Sequence, residues 1–485
     1  MKYKGDEQQM NPILKEKSQI NQLHVQELNY DEVHSLYENQ NRYFDSGKTR
    51  SFEQREKTLK NLRSLIEQFE QDILAALKKD LNKSEAEAYM TEVAIIKEEI
   101  NFTLKNLKKW IKPKKVKTAL THFGTKGVKI PEPFGVNLII APWNYPFQLA
   151  ISPLLGAIAA GNTAIIKPSE LTPHVSKVLS TLINSHFDSG FLHVVEGGIE
   201  TNQHLLKQPF DYIFFTGSVP VGKIVMEAAA KNLTPVTLEL GGKSPCIVHE
   251  DADIPLAAKR VAFGKLTNAG QTCIAPDYLF VHKNVKNDFI QEYKNTVQKF
   301  YGDQPINNEN YGKIVNDRHF KRVESYLTNG EIIFGGAVDE ELQKIEPTML
   351  IPENMDVPVM KEEIFGPVFP VLTFEDLDEV VSFVNSRPKP LALYLFSNNK
   401  QVEKKIISEI SYGGGCINDT IMHIATPYLP FGGVGESGIG NYHGESSFET
   451  FSHYKSVLKQ TTKFDFSFRY PNAKYGLKII KKLLG

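Results

Sequence analysis

Residues 136–167 read VNLIIAPWNYPFQLAISPLLGAIAAGNTAIIK. Two short runs rich in Val, Ile and Leu, VNLIIA at 136–141 and TAIIK at 163–167, flank a longer apolar stretch that closes on Gly161. The short runs predict buried strands, and the stretch between them predicts a loop followed by a helix over Leu154–Ala160. Gly135–Gly161 is apolar and long enough to raise the question of a membrane span. Pro142, Asn144, Pro146, Gln148 and Pro153 interrupt it, and their unpaired backbone groups have no place in lipid. Strand, loop, helix and strand remain, the unit of a parallel sheet.

The unit recurs outward. A helix over Val175–Ile183 precedes LHVVEG at 192–197, and YIFFTG at 212–217 is followed by a helical pattern over Val221–Lys231. A second series follows: SPCIVHE at 244–250, a helix over Ile254–Leu266, DYLFVHK at 277–283, a helix over Val285–Phe300, then VFPVLTF at 368–374 and LALYLFS at 391–397. Two α/β domains are expected, each a parallel sheet covered on both faces. Upstream, residues 52–111 repeat apolar positions at three and four spacing (Leu59, Leu62, Leu65, Ile66, Phe69) and predict helices. Residues 112–133 are basic and β-branched, with Gly124 and Gly127 as turn residues and Pro113 and Pro131 as brackets, the pattern of an exposed hairpin. No tandem repeat or low-complexity tract interrupts this order.

At about 150 residues per domain, the 485 residues suggest two or three domains. Hydrophobic residues at 41% and charged residues at 23% describe a soluble globular chain. With 56 basic against 57 acidic side chains there is no field to gather nucleic acid, and none is expected as a partner. Three cysteines, Cys246, Cys273 and Cys416, cannot all pair and point to a reducing, cytoplasmic compartment. The first residues lack the apolar core and cleavage site of a secretory signal, and Met10 is an alternative start.

Cys273 stands in NAGQTCIAP, among small and polar residues that let a substrate approach, and is the candidate nucleophile. Cys246 and Cys416 sit in or beside apolar strand-like runs, where a thiol is a small buried hydrophobe. Glu239, an acid at an apolar strand end before Gly241 and Gly242, is either a base toward water, its pKa raised by burial, or a carboxylate paired with Lys243 or at the surface. Asn144, stiffened by Pro142 and Pro146, is either an amide donor to an oxyanion or a turn residue. Gly217 and Gly222 follow a strand and open a helix, where free N–H groups and the helix dipole suit a pyrophosphate. Gly433, Gly435 and Gly438 also spell G-x-G-x-x-G, but follow LPFGG rather than a strand. A P-loop is excluded, because Ile224 follows Lys223 where a hydroxyl residue is needed. No metal site is expected.

Together these segments resemble the aldehyde dehydrogenase superfamily: APWNYP, AAGNTAIIKPSE, FTGSVPVG, TLELGGKSP, NAGQTC, EEIFGP and PFGGVGESGIG occur in the family's order between 141 and 440. EEIFGPVFPVLTF, RPKPLALYLFS and GGGCINDTIMH are similar to the class 3 branch, which includes fatty, aromatic and apocarotenoid aldehyde dehydrogenases. The resemblance implies NAD-dependent oxidation of an aldehyde to a carboxylic acid, with NADP as a possible alternative cofactor. It implies Cys273 as nucleophile, Asn144 with the Cys273 backbone N–H as oxyanion donors, and Glu239 as the base that activates water. The glutamate argues against a coenzyme-A-acylating relative. For the cofactor it implies Trp143, Lys167, Ser169, Glu170, Gly217, Ser218, Gly222, Glu363 and Phe365. Glu170 favours NAD, since a carboxylate repels the extra phosphate of NADP. Asn418 and Phe431 line up with positions that shape the pocket.

The fold expected is the aldehyde dehydrogenase fold: a Rossmann-like cofactor domain over 29–111 and 134–238, an α/β catalytic domain over 239–424, and a small β-hairpin element over 112–133 and 453–470 that joins two subunits in a homodimer. Residues 425–452 are expected to return to the active-site cleft, 1–28 to be an extension, and 471–485 to form an amphipathic basic tail. That tail can cap the substrate entrance, pack on its own subunit, or touch a membrane weakly. The substrate expected is an apolar long-chain, aromatic or polyene aldehyde. A cysteine acyl-hydrolase without nicotinamide, activated by one of the 13 histidines, is the competing enzyme class.

Overall fold

The computed structural model describes residues 26–119 and 122–484. Most of the expected N-terminal extension, residues 1–25, therefore lies outside the described residues. The chain begins with helices α1 (Tyr30–Asp45), α2 (Phe52–Gln68), α3 (Glu70–Leu81), α4 (Glu85–Ala88) and α5 (Ile95–Trp110), with a π-helical turn, Tyr89–Ala94, between α4 and α5. Ser51 and Ser84 cap α2 and α4 by accepting backbone N–H groups, as helix starts require. Leu59, Leu62, Leu65 and Ile66 are all buried, so the apolar spacing of α2 turns one stripe inward.

Strands β1 (Lys114–Val116) and β2 (Thr125–Pro133) follow, and then the first parallel series: β3 (Val136–Ile140), helix α6 (Gln148–Ala160), β4 (Thr163–Lys167), α7 (Pro173–Asn184), β5 (Leu192–Val194), α8 (Ile199–Leu205), β6 (Tyr212–Thr216), α9 (Val219–Ala230) and β7 (Val236–Glu239). Every residue of β3, β4 and β6 is buried, as expected of strands covered on both faces. The helix after β3 begins at Gln148 rather than Leu154 and carries Pro153 inside it. Its first turn is held from outside, because the Glu92 carboxylate accepts the N–H groups of Phe147 and Gln148 at 3.0 Å each.

The second series contains β8 (Pro245–Val248), α10 (Ile254–Leu266), β9 (Tyr278–His282), α11 (Lys286–Tyr301), β10 (Gly330–Phe334), the short pair β11 (Val338–Asp339) and β12 (Lys344–Ile345), β13 (Thr348–Pro352), β14 (Val368–Phe374), β15 (Ala392–Phe396) and β16 (Gly414–Ile417). β17 (Gly438–Ile439) and β18 (Ser452–Gln460) complete the strands. Three larger sheets result: β17-β7-β6-β3-β4-β5, β10-β13-β14-β9-β8-β15-β16, and β1-β2-β18. β17 and β10 run antiparallel to their neighbours, whereas the remaining pairs within the two large sheets are parallel. β18 pairs with β2 along its whole length, from Ser452 opposite Pro133 to Gln460 opposite Thr125.

Strand order reverses at β3 in the first sheet, since β4 leaves on one side and β6 on the other. Ligands of open parallel sheets bind beyond the carboxyl ends at such a reversal. The loop after β3 carries Trp143 and Asn144, β4 ends on Lys167, β6 leads into Gly217, and β7 ends on Glu239. Gly433, Gly435 and Gly438 do not form a dinucleotide turn. Their loop folds back on β7, with Gly438 opposite Glu239, and a Cβ on Gly438 would lie 2.5 Å from the Leu238 carbonyl oxygen.

Candidate active site

Cys273 follows an irregular segment in which Asn268, Ala269 and Gly270 have φ values of 54°, 51° and 78°. Three successive left-handed residues are costly unless the surroundings fix them. Gln271 supplies part of that constraint: its Nε2 donates to the carbonyls of Asn268 (3.0 Å) and Lys313 (2.9 Å), and its Oε1 accepts from Val315 N–H at 3.0 Å. A Cβ on Gly270 would fall 2.3 Å from the Gly366 carbonyl oxygen, so no larger residue fits. The segment presents Cys273 to a cavity of about 120 Å3, close to the size that admits a benzene ring.

Asn144 is buried and is not part of the cavity lining, but it borders the Cys273 segment. One amide hydrogen goes to the Gln271 carbonyl (3.1 Å), tying the β3–α6 loop to the Cys273 segment. Glu239 lines the same cavity at 2% exposure, and neither carboxyl oxygen has a hydrogen-bond partner. Burial pushes its pKa well above the ordinary carboxyl value. The Cys273 thiol is also pushed up, first by burial and then by the nearby carboxyls of Glu363 and Glu239. Gln148, Thr216 and Tyr442 present further buried polar atoms to this cavity. Thr91, Thr267, Thr272 and Tyr145 add hydroxyls, the rest of the lining is apolar, with Ile95, Leu149, Phe263, Ile421 and Phe431 among it, and no Lys, Arg, His or Asp is part of it.

The ion pair between Glu239 and Lys243 that the sequence permits does not form. Lys243 lies beyond the Gly241–Gly242 turn, pairs with Asp277, and donates to the Val359 and Glu362 carbonyls at 2.8 Å each. Asn418 is not part of the cavity lining either. It exchanges two hydrogen bonds of 2.9 Å with Ser397, joining the ends of β15 and β16. Cys246 is wholly buried, whereas Cys416 is half-buried, with its Sγ 3.5 Å from His423 Nδ1.

Of the residues expected to hold a dinucleotide, Trp143, Lys167, Ser169, Glu170, Gly217, Ser218 and Gly222 end or follow strands of the first sheet, whereas Glu363 and Phe365 come from the segment before β14 of the second. Lys167 is buried, donates to the Pro168 carbonyl at 2.7 Å, and stands 3.6 Å from the half-exposed Glu170. Ser169 Oγ accepts the Leu171 N–H. Ser218 occupies the N-cap of α9 without a side-chain capping bond, leaving its hydroxyl and the first-turn N–H groups uncommitted. Gly222 packs against Leu240, which a Cβ would meet at 2.6 Å. Val221 and Ile224, in the first two turns of α9, are exposed. Trp143 meets Phe365 edge-on at 5.3 Å, and Glu363 packs on Gly241 with an unpartnered buried Oε1 and a pKa raised by burial to about 8. A free helix N-terminus, exposed apolar side chains in its first turns and an orphaned buried carboxyl fit a dinucleotide.

The aldehyde dehydrogenase family model matches residues 3–457. The chain belongs to the aldehyde dehydrogenase family. It is 52% identical over 441 residues to a Staphylococcus aureus protein named 4,4'-diaponeurosporen-aldehyde dehydrogenase, covering 90% of this chain and 96% of that one. It is 49% identical over 416 residues to the dimeric NADP-preferring aldehyde dehydrogenase of Rattus norvegicus, covering 86% and 92%. Its structure superposes on the substrate-bound state of the Staphylococcus aureus AldH with a TM-score of 0.91 at 50% identity, covering 93% and 99%. The class 3-like branch and the mixed α/β aldehyde dehydrogenase fold are thereby shown, and this aldehyde dehydrogenase oxidises aldehydes with NAD or NADP.

Several site residues escape sequence reasoning. Thr216 sits beside Glu239 in the β6–β7 register, a neighbour relation that only pairing reveals. Gln148 and Tyr442 reach the cavity from elements far apart in the chain. Phe431 does line the cavity, as its motif position suggests.

Proposed function

We propose that this aldehyde dehydrogenase releases a free carboxylic acid, using Cys273, Asn144 and Glu239, and acts on apolar aldehydes. The observation that carries the reading is Glu239, a buried carboxyl without a partner, sharing an apolar cavity with a cysteine. The Cys273 thiolate adds to the carbonyl carbon, and the second Asn144 amide hydrogen and the Cys273 N–H hold the resulting oxyanion. Lys167, Glu170, Gly217, Ser218 and Gly222 would hold NAD(P), which would supply the acceptor for the hydride that leaves the carbonyl carbon as the thioester forms. Glu239 then takes a proton from water as the water attacks the Cys273 thioester, and the carboxylic acid leaves. The polar ends of Gln148, Thr216 and Tyr442 give that water hydrogen-bonding partners.

The raised pKa values dictate a pH dependence. A neutral Glu239 is no base and a neutral thiol is a poor nucleophile, so kcat is expected to climb as pH rises above the ordinary carboxyl range. A kcat profile that is flat across this range contradicts the assignment. Stability moves in the opposite direction. A carboxyl whose folded pKa exceeds its unfolded value stabilises the fold below the unfolded pKa, and this contribution is lost as pH rises toward the folded pKa. Glu239→Gln is therefore expected to gain melting temperature relative to wild type as pH rises above the ordinary carboxyl range, as read by thermal melts.

A cavity without a basic side chain supports apolar aldehydes over anionic semialdehydes, as does the printed name of the Staphylococcus aureus relative. Each methylene buried contributes about 0.8 kcal/mol, so kcat/KM is expected to rise about fourfold per carbon along a homologous series until the cavity is filled. Steady-state absorbance of the reduced nicotinamide, with NAD and then NADP, tests substrate and cofactor together. A succinic-semialdehyde-like acid that outperforms the apolar series overturns the substrate reading. Glu170 supports NAD over NADP, through repulsion of the extra phosphate.

Further proposals follow from the architecture. The first large sheet with α1–α9 is the cofactor domain and the second large sheet is the catalytic domain. β18, an edge strand with Val457 and Leu458 exposed, is the pairing surface of a homodimer. No helix among the described residues is long and apolar enough to cross a membrane. The C-terminal helix Gly476–Leu484 exposes Leu477 and Ile479 beside lysines, which supports weak peripheral association of an otherwise cytoplasmic protein.

A further inference from the structure

We propose that the buried Lys83–Glu92 ion pair positions the oxyanion donor Asn144, a role resting on the oxyanion reading above. The two side chains are wholly inaccessible to solvent. Burying two charges is costly unless further hydrogen bonds satisfy them, and here those bonds converge on one short loop. Glu92 Oε1 accepts from Lys83, and Oε2 accepts the N–H groups of Phe147 and Gln148. Lys83 Nζ also donates to the Asn144 carbonyl at 3.1 Å and lies 3.9 Å from the centre of the Tyr145 ring. The pair thus grips the backbone at 144, 147 and 148 and the side chain at 145.

The grip continues into the Cys273 segment. Asn268 Nδ2 gives the Asn144 carbonyl its second hydrogen bond at 2.8 Å, and Asn268 N–H donates to Glu87 of α4 at 2.8 Å. Glu92 belongs to the π-helical turn Tyr89–Ala94, a rare local geometry that recurs at functional sites. With its carbonyl held by two donors and one amide hydrogen on Gln271, the Asn144 side chain is left with its other N–H aimed by the loop. An oxyanion donor works only when fixed where the charge develops, and a misplacement of about 1 Å costs about 100-fold. Lys83 and Glu92 act through Asn144 and are positioning residues.

The test is a double-mutant cycle on the full-length enzyme, with activity expressed per folded molecule. Lys83→Met is expected to lower kcat about 10- to 100-fold with little change in KM or in NAD affinity followed by protein fluorescence. In an Asn144→Ala background the same change is expected to alter kcat less than about threefold, because the donor it positions is gone. Glu92→Gln, nearly isosteric, is carried through the same cycle and decides the question if Lys83→Met does not fold. Losses that multiply in the double mutants overturn the positioning role, as does full activity in the Lys83 or Glu92 single variants. Full activity of Asn144→Ala alone overturns the oxyanion reading instead, so the two failures are distinguishable.

Discussion

Cys273→Ala is expected to lose at least about 10⁴-fold in aldehyde oxidation, because removing a covalent nucleophile leaves only binding and electrostatic stabilisation. The protein is expected to fold, since Cys273 is half-buried on a loop and alanine removes one sulfur atom from a cavity wall. NAD affinity, measured by fluorescence titration, is expected to remain within about twofold of wild type, because most of the residues proposed to hold it, Lys167, Glu170, Gly217, Ser218 and Gly222 among them, end or follow strands of the first sheet. The same substitution separates the competing enzyme class from the proposal. A cysteine hydrolase activated by histidine needs that base at the thiol, and no histidine lines the cavity among the described residues. Turnover retained by Cys273→Ala removes Cys273 from the mechanism.

Glu239→Gln is expected to divide the reaction at the thioester. The acyl-forming half does not use the Glu239 carboxylate as a base, so a first-turnover burst of reduced nicotinamide persists. Later turnovers are expected to slow about 10²- to 10⁴-fold, the usual contribution of a positioned general base. The substitution is nearly isosteric at a site where neither oxygen has a partner, so packing is preserved. Stopped-flow absorbance checks both phases. Loss of the burst together with the steady rate contradicts a role confined to water activation. A normal steady rate removes Glu239 from the chemistry and leaves Glu363, the second buried acid near the thiol, as the group to examine.

Much of the fold was legible because local pattern and global architecture agree. Buried parallel strands must be apolar on both faces, which makes VNLII, TAIIK and YIFFT recognisable, and glycine at a βα turn marks where a backbone must come close to a ligand. The helix after β3 was read six residues short because Pro153 and Gln148 look like breaks locally. Its start is decided by Glu92, 56 residues away from Gln148 in the chain. The hairpin over 112–133 was legible as β-branched and basic, but the full-length register of β18 on β2 arises from pairing across more than 300 residues.

The sequence by itself determined the order of the strands and helices, the family through the motifs between 141 and 440, and the residue types on which the proposed chemistry rests, Cys273, Glu239 and Asn144. A motif preserves chemistry in the identity of its residues, and that information is local. The state of each residue was decided only by the tertiary structure. Whether Glu239 is ion-paired or orphaned depends on Lys243 turning to Asp277, and whether Asn144 is a turn residue or an aimed donor depends on Lys83, Asn268 and Gln271. Burial, charge and orientation are sums over neighbours that folding brings together from distant parts of the chain, so no stretch of sequence contains them.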